Sequence, residues 1–305
     1  MLSRKSKLLI LKIISLFSVV RGYNIPIIVL AQYLSSIFIL GANNRALDVL
    51  IDVNLFLIVF LSSLTIASGY IINNFYDNDK DLINRPNKSM LDRLVSQKTK
   101  LQVYFSINFI VFLLAFLISF RAVLFFSIYI FLIWFYSHKL KKIVFIGNLF
   151  AAFLAILPFF AILLYYKNLY PQIFAHATFL YLLLLIREMI KDLENLKGDI
   201  ANDYQTIPVI YGDKVSKQII TSLTIGTIIP VYFLVDIFEV GYMDIYFYMS
   251  LLVLLFFLVT LWKSNDKLGY LKLHNILKFL IVSGVFCIIL IEPEVLIHGK
   301  KLLKL

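Results

Sequence analysis

Residues 53–86 read VNLFLIVFLSSLTIASGYIINNFYDNDKDLINRP, and the change of character inside this stretch decides the fold. Residues 53–72 carry no charge. A run of about 20 apolar residues crosses the hydrocarbon core of a bilayer as one helix. The apolar run passes directly into Asn73, Asp77 and Asp81, spaced i, i+4, i+8. If the helix continues, all three project from one face. Pro86 should end that helix or lie just beyond it. A lipid-spanning helix thus delivers a row of oxygen donors to the membrane boundary.

The rest of the chain has the same character. Of 305 residues, 61% are hydrophobic and 15% charged, against about 45–50% and about 25% in an ordinary soluble domain. A soluble enzyme, a disordered protein and a disulfide scaffold are excluded. Cys287 stands alone and His138, His176, His274 and His298 lie far apart, which argues against a zinc centre. The net charge of +11 fits basic loops beside anionic lipid headgroups, not a nucleic-acid-binding surface. Nine apolar runs fall near residues 24–40, 53–72, 103–120, 122–136, 143–166, 172–186, 219–235, 245–261 and 275–291. The expected fold is all-α, a single polytopic membrane domain over 1–305 with about nine transmembrane helices around a central cavity.

Residues 1–21 resemble a signal peptide in having Arg4, Lys5 and Lys7 before an apolar stretch, but Lys12 interrupts it and no small-residue cleavage site follows. An amphipathic surface helix is the better reading. Placing the N-terminus and the loops after spans two, four, six and eight on one side puts 23 of the 29 basic residues there. That side is expected to be cytoplasmic, in the plasma membrane. Both long polar loops, 73–100 and 187–217, fall on it. Each follows the second helix of a four-span block, which suggests pseudo-repeat halves near 22–142 and 143–270.

The second polar loop opens with REMIKDLENLKGD at 187–199. Glu188, Asp192, Asn195 and Asp199 fall on one helical stripe, with Arg187 and Lys191 on a neighbouring edge. Taken singly, either acidic cluster reads equally as a solvated charged face with local ion pairs. Taken together they sit at one membrane depth, on one side, after corresponding spans. Two facing carboxylate walls repel unless cations bridge them. Hard oxygen donors suit Mg²⁺, which usually shares its shell with substrate phosphates. Two Mg²⁺ ions and a diphosphate would balance the charge. Arg21 and Asn24 at the first span, and Tyr136, Lys139, Lys141 and Lys142 after the fourth, supply groups suited to diphosphate oxygens.

At these clusters the chain resembles the UbiA-type intramembrane prenyltransferases. Their first motif, NDxxDxxxD, is matched by Asn73, Asp77 and Asp81. Their second, KDxxDxxGD in one branch, is matched by Lys191, Asp192, Gly198 and Asp199. Arg21 with Asn24, Tyr136 with the nearby lysines, and TIPVIYG at 206–212 are also similar. The resemblance implies Mg²⁺-dependent transfer of a prenyl group from a polyprenyl diphosphate to a lipophilic acceptor. It implies metal ligation by Asn73, Asp77, Asp81, Asp192 and Asp199, with Asp77 and Asp192 catalytic. Substrate would be bound by Arg21, Asn24, Asn73, Arg85, Tyr136, Lys141 and Lys191. Asp77–Asp81 with INRP at 83–86 is most similar to the branch acting on geranylgeranylglycerol phosphate, with geranylgeranyl diphosphate as donor. An aromatic or quinone-precursor acceptor, a terpene cyclase of the same superfamily, and a transporter are the alternatives.

Three positions depart from the family pattern. Asn74 and Asn195 stand where the motifs have Asp, and Leu140 stands where a YxxxK pattern puts Lys, leaving the role to Lys139 or Lys141. The two Asn residues remove negative charge and are expected to weaken metal binding.

Overall fold

The computed structural model describes residues 4–41, 45–293 and 295, with side chains from residue 10 onward in those segments. The side chains of Arg4, Lys5 and Lys7, and the C-terminal Lys300, Lys301 and Lys304, lie outside the described residues. Among the described residues there is no strand. Helix α1 (Arg4–Val19) leads to α2 (Ile25–Ser35), which a π-helical turn carries to Leu40, and to a short α3 (Ala46–Ile51). Then come α4 (Val53–Tyr76), α5 (Asn78–Asn84), α6 (Pro86–Asp92), α7 (Gln97–Ile118), α8 (Phe120–His138) and α9 (Ile146–Tyr166). The chain continues through α10 (Pro171–Glu194), α11 (Leu196–Ala201), α12 (Ile207–Gly226), α13 (Ile228–Tyr232), α14 (Asp244–Lys263) and α15 (Lys267–Cys287).

Among the described residues eight helices, with α12 and α13 counted as one, are long and apolar enough to cross a membrane. The ninth expected span, at 24–40, is the shorter segment Ile25–Leu40. Its 11 α-helical and 5 π-helical residues reach only about 24 Å at about 1.5 Å per residue, against a core of about 30 Å. In α1, Ile10, Ile13, Ile14 and Phe17 form an exposed apolar stripe, while Ser15 and Val19 are buried.

Helix α4 is central: 61% of its most apolar window is buried, against 17% for α7. Phe105, Phe109, Phe112 and Phe116 of α7 point outward, a surface suited to lipid and not to water. One buried cluster joins Leu61 and Ile71 of α4 to Val111, Phe126 and Ile133 of α7 and α8. Another joins Ile186 and Ile190 of α10 to Phe247, Phe257 and Leu277 of α14 and α15.

Capping by side chains starts several helices. Asp52 accepts from the Asn54 and Leu55 amides and from the Tyr165 hydroxyl, at 2.9, 3.3 and 2.6 Å. Such caps satisfy donors that lipid cannot. Pro158 inside α9 has no N–H, so the Leu154 carbonyl lacks its helical donor. The Tyr129 hydroxyl donates to that carbonyl at 3.0 Å, and Gln32 Nε2 donates to the Pro158 carbonyl at 3.2 Å. These bonds pin α8 and α2 to α9, the helix whose first turn borders the polar cavity.

Candidate active site

The first acidic wall forms where α4 meets α5. Asp77 is not α-helical (φ −91°, ψ 7°). Even so, amide bonds from Asp77 to Asn73, from Asp81 to Asp77 and from Arg85 to Asp81 run unbroken at 2.8–2.9 Å. The one-residue interruption therefore keeps Asn73, Asp77 and Asp81 on one side, and all three line a single cavity. The helix ends at Asn84, one residue before Arg85 and Pro86, as the proline requires.

The connection between α8 and α9 supplies the cation. A 3₁₀ turn at Leu140–Lys142 and a left-handed Phe145 (φ 61°) fold the chain sharply. A Cβ on Gly147 would lie 3.0 Å from the Lys141 carbonyl oxygen, so glycine permits the close return. Lys141 is thereby driven inward: its Nζ lies 2.6 Å from Asp77 Oδ1 and 3.4 Å from Asn73 Oδ1. Lys139 is exposed. Of the two lysines, Lys141 is the one that lines the cavity.

The second wall is the end of α10. Glu188, Lys191, Asp192 and Asn195 line the same cavity. Asn148 Nδ2 donates to Asp192 Oδ2 at 2.7 Å, and Lys191 pairs with Glu188 at 2.7 Å. Asn195 caps α10 and α11 follows, placing Asp199 fully buried beneath. Gly198 is required where the motifs touch. Its amide donates to Asn84 Oδ1 at 3.1 Å, and any Cβ would collide with the Asn84 side chain. Across this contact Lys80 of α5 pairs with Asp199 at 2.5 Å.

Tyr204 closes the floor. Asp203 adopts φ 57° and turns the chain back, and the Tyr204 hydroxyl donates to Asp77 Oδ1 at 2.6 Å. The Lys80 ammonium sits 3.9 Å from the Tyr204 ring centroid, within cation–π range. Burial disfavours the Asp77 carboxylate, but the Lys141 and Lys80 charges and the bonds from Lys141 and Tyr204 more than offset it. The carboxyl is held below its usual range. Burial opposes the Lys80 charge, yet Asp199 and Asp77 raise this lysine above its ordinary value. Burial, then the neighbouring Asp77 charge, raise Asp81. Burial and Asp77 together raise the Tyr204 phenol.

The cavity, about 710 Å³, gathers Arg21, Asn73, Asp77, Asp81, Arg85, Tyr136, Lys141, Lys191 and Asp192 from the sequence-expected set. Arg21 is held at φ 49°, a left-handed conformation that costs a non-glycine residue about 1–2 kcal/mol, and its guanidinium lies 5.0 Å from the Tyr70 ring centroid. Asn24 is not brought in: it stands at the N-cap position of α2, without a side-chain capping bond, and does not line the cavity. Asn74 also points elsewhere. Its Nδ2 donates to Asp92 and its Oδ1 accepts from the fully buried Lys100, at 3.0 and 2.8 Å, while Ser18 of α1 donates to the same Asp92 at 2.7 Å. Asn74 ties α1, α6 and α7 to α4. Its amide takes no charge from the cavity. Lys80 and Tyr204 also line the cavity, and motif reading passed over both. Lys80, three positions after Asp77, was within reach of helical spacing; Tyr204 gave no local signal.

The donor set suits Mg²⁺. The Asp81 carboxylate makes no hydrogen bond or ion pair among the described residues, and Asn195 Oδ1 is buried without a partner. Carboxylate and amide oxygens from Asn73, Asp77, Asp81, Asp192 and Asn195 converge on one cavity, the hard-donor chemistry magnesium prefers. No group of three or more acidic, His or Cys side chains is close enough to enclose a metal by itself among the described residues.

A second cavity, about 940 Å³, lies towards the far ends of α9 and α10 and is lined by Ile39, Phe159, Phe160, Leu163, Leu180 and Phe247 among others.

Residues 29–290 match the UbiA prenyltransferase family. The chain belongs to this family. It is an integral, multi-pass membrane protein. It is 34% identical over 176 residues to digeranylgeranylglyceryl phosphate synthase of Thermococcus sibiricus, a match covering 57% of this chain and 61% of that one. The Methanobrevibacter smithii protein of the same name is 28% identical over 256 residues, covering 78% and 89%. Among solved structures, a UbiA homologue from Archaeoglobus fulgidus bound to DMAPP and Mg²⁺ superposes with a TM-score of 0.67. The identity is 16%, over 90% of this chain and 99% of that one. The family's helical architecture is therefore shared.

Proposed function

We propose that this chain catalyses Mg²⁺-dependent transfer of a prenyl group from a polyprenyl diphosphate to a lipophilic acceptor. Geranylgeranyl diphosphate is the proposed donor and geranylgeranylglycerol phosphate the proposed acceptor. The observation that carries this reading is the cavity in which two acidic walls, Asn73–Asp77–Asp81 and Asp192–Asn195, face Arg21, Arg85, Lys141 and Lys191. A site for both divalent cations and phosphate oxygens needs both kinds of group. The names of the relatives support the lipid-phosphate acceptor.

Bound Mg²⁺ would neutralise negative charge that develops on the leaving diphosphate. Asn73, Asp77 and Asp81 would hold it on one wall and Asp192 on the other. Arg21, Arg85 and Lys191 would bind diphosphate oxygens, and Lys141 would hold Asp77 in its charged form while facing the same oxygens. As the allylic C–O bond lengthens, this fixed positive lining stabilises the charge that appears, which lowers the barrier. Asn148 orients Asp192 through its 2.7 Å bond. The apolar cavity behind would take the isoprenoid chain, and its dry walls would limit hydrolysis of the cationic fragment. The basic loops carrying the motifs would face the cytoplasm from the plasma membrane.

The test is product analysis with purified protein, geranylgeranyl diphosphate and an acceptor panel: geranylgeranylglycerol phosphate, 4-hydroxybenzoate, a dihydroxynaphthoate and none. The expected result is a diether lipid phosphate from the first alone. A prenylated aromatic product would move the acceptor to the quinone class. A cyclised product with donor alone would overturn the transferase reading.

A further inference from the structure

Two acidic walls meeting across a cavity need positive charge between them, and this chain already carries some of it covalently. The Lys80 side chain, 15% exposed, rises from the first wall to the fully buried Asp199 of the second. The ammonium touches Asp199 Oδ1, and the Thr206 hydroxyl lies 3.4 Å from Oδ2. The Lys80 ammonium thus holds Oδ1 by charge, although that oxygen accepts no well-directed hydrogen bond, and Oδ2 has the Thr206 hydroxyl before any ligand arrives. Lys80 also borders the cavity and stands over the Tyr204 ring, whose hydroxyl reaches Asp77. Asp199, Lys80, Tyr204, Asp77 and Lys141 form one connected line from wall to wall.

The contrast with the remaining donors is sharp. The Asp81 carboxylate is free of hydrogen bonds and ion pairs among the described residues, and Asn195 Oδ1 has no hydrogen-bond partner. Asp77 Oδ2, Asp192 Oδ1, both Asp81 oxygens and Asn195 Oδ1 are left open to a metal, whereas Asn73 Oδ1 already meets Lys141 and both Asp199 oxygens have a neighbour. Charge counting agrees. A carboxylate at position 195 and a neutral residue at position 80 would make the site more negative by two charges. That is the charge of one divalent ion.

We propose that Lys80 is a tethered cation that takes the place of a second divalent ion at Asp199, so that the diphosphate site binds a single Mg²⁺. This rests on the diphosphate reading above. The ammonium holds Asp199 and presents its remaining N–H donors to the cavity, where diphosphate oxygens would lie. An ion bound at Asp199 would have to displace a buried ion pair, and it would meet an uncharged Asn195 instead of a second carboxylate.

The experiment counts ions directly. Mn²⁺ would be titrated into the purified full chain in nanodiscs with inorganic pyrophosphate, and bound ion measured from loss of the free Mn²⁺ resonance. The expected result is one Mn²⁺ per wild-type chain, one in Lys80→Arg, and two in Lys80→Ala and Lys80→Gln. The glutamine variant keeps a donor for Asp199 if the alanine variant does not fold. Two ions in the wild type, or one in both folded neutral variants, would overturn the proposal and leave the diphosphate reading standing. No pyrophosphate-dependent ion in any form would overturn the diphosphate reading itself.

Discussion

Replacing Lys141 by Met removes the cation that faces Asp77 while keeping the length of the side chain. The ammonium and carboxylate are 2.6 Å apart, with side chains 5% and 12% exposed, so solvent screens them little. At that distance the Coulomb attraction is about 6 kcal/mol for an effective dielectric near 20. Desolvation of both charges offsets part of it, and removing one partner of a buried pair costs about 3–5 kcal/mol. Tyr204 continues to donate to the same oxygen, so the lower end, about 3 kcal/mol, is expected. The pH dependence gives the sign. In the wild type the folded Asp77 carboxyl lies below its unfolded value. Its stabilising contribution is thus present above about pH 4 and lost as pH falls through the folded value. Without Lys141 the main lowering influence is gone, only Lys80 and the Tyr204 bond still oppose burial, and the folded carboxyl rises from its wild-type position. The deficit of the variant should be full at pH 7 and shrink on acidification through about pH 4. Thermal unfolding in detergent across that range measures it. A variant as stable as wild type at pH 7, or a deficit independent of pH, would refute the ion-pair account.

Other expectations follow from the same geometry. Asp192→Asn should lower turnover at least about 100-fold with little change in melting temperature, because the amide oxygen still accepts from Asn148; undiminished turnover would remove Asp192 from the site. Gly198→Ala should cost about 1–3 kcal/mol through overpacking and reduce turnover, since the new Cβ pushes α11 off Asn84; a melt matching wild type would contradict the close contact. Tyr129→Phe should cost about 1 kcal/mol and leave KM unchanged, because it orphans only the Leu154 carbonyl freed by Pro158. A melting temperature equal to wild type would show that this carbonyl has another partner.

The parts of the site that share one helix face were legible. Asn73, Asp77 and Asp81 stay aligned because the backbone bonds continue through Asp77. Neighbouring positions were harder to read: Asn74 is rotated about 100° from Asn73 on a helix, which carries it out of the cavity and into the Asp92–Lys100 network. The sequence could not choose between Lys139 and Lys141, because the choice belongs to the 3₁₀ turn and the left-handed Phe145. Asn24, read as part of the site with Arg21 from the family resemblance, does not reach the cavity that Arg21 lines. Tyr204 and the Lys80–Asp199 pair join residues more than 100 positions apart, and only packing of α5 against α11 brings them together. The apolar runs located the spans, but α12 begins at Ile207, before the apolar run at 219, because a short helical turn at 207–211 joins the span across the non-helical Gly212 (φ 80°).

Release of diphosphate from geranylgeranyl diphosphate in the presence of geranylgeranylglycerol phosphate tests the central claim most directly. It should be measured with and without Mg²⁺ for the wild type and for Asp81→Asn, whose carboxylate supports no ion pair. The account predicts Mg²⁺-dependent release by the wild type, abolished by chelator, and a loss of at least about 100-fold in the variant. Release that persists without divalent cations, or an unimpaired Asp81→Asn enzyme, would contradict it.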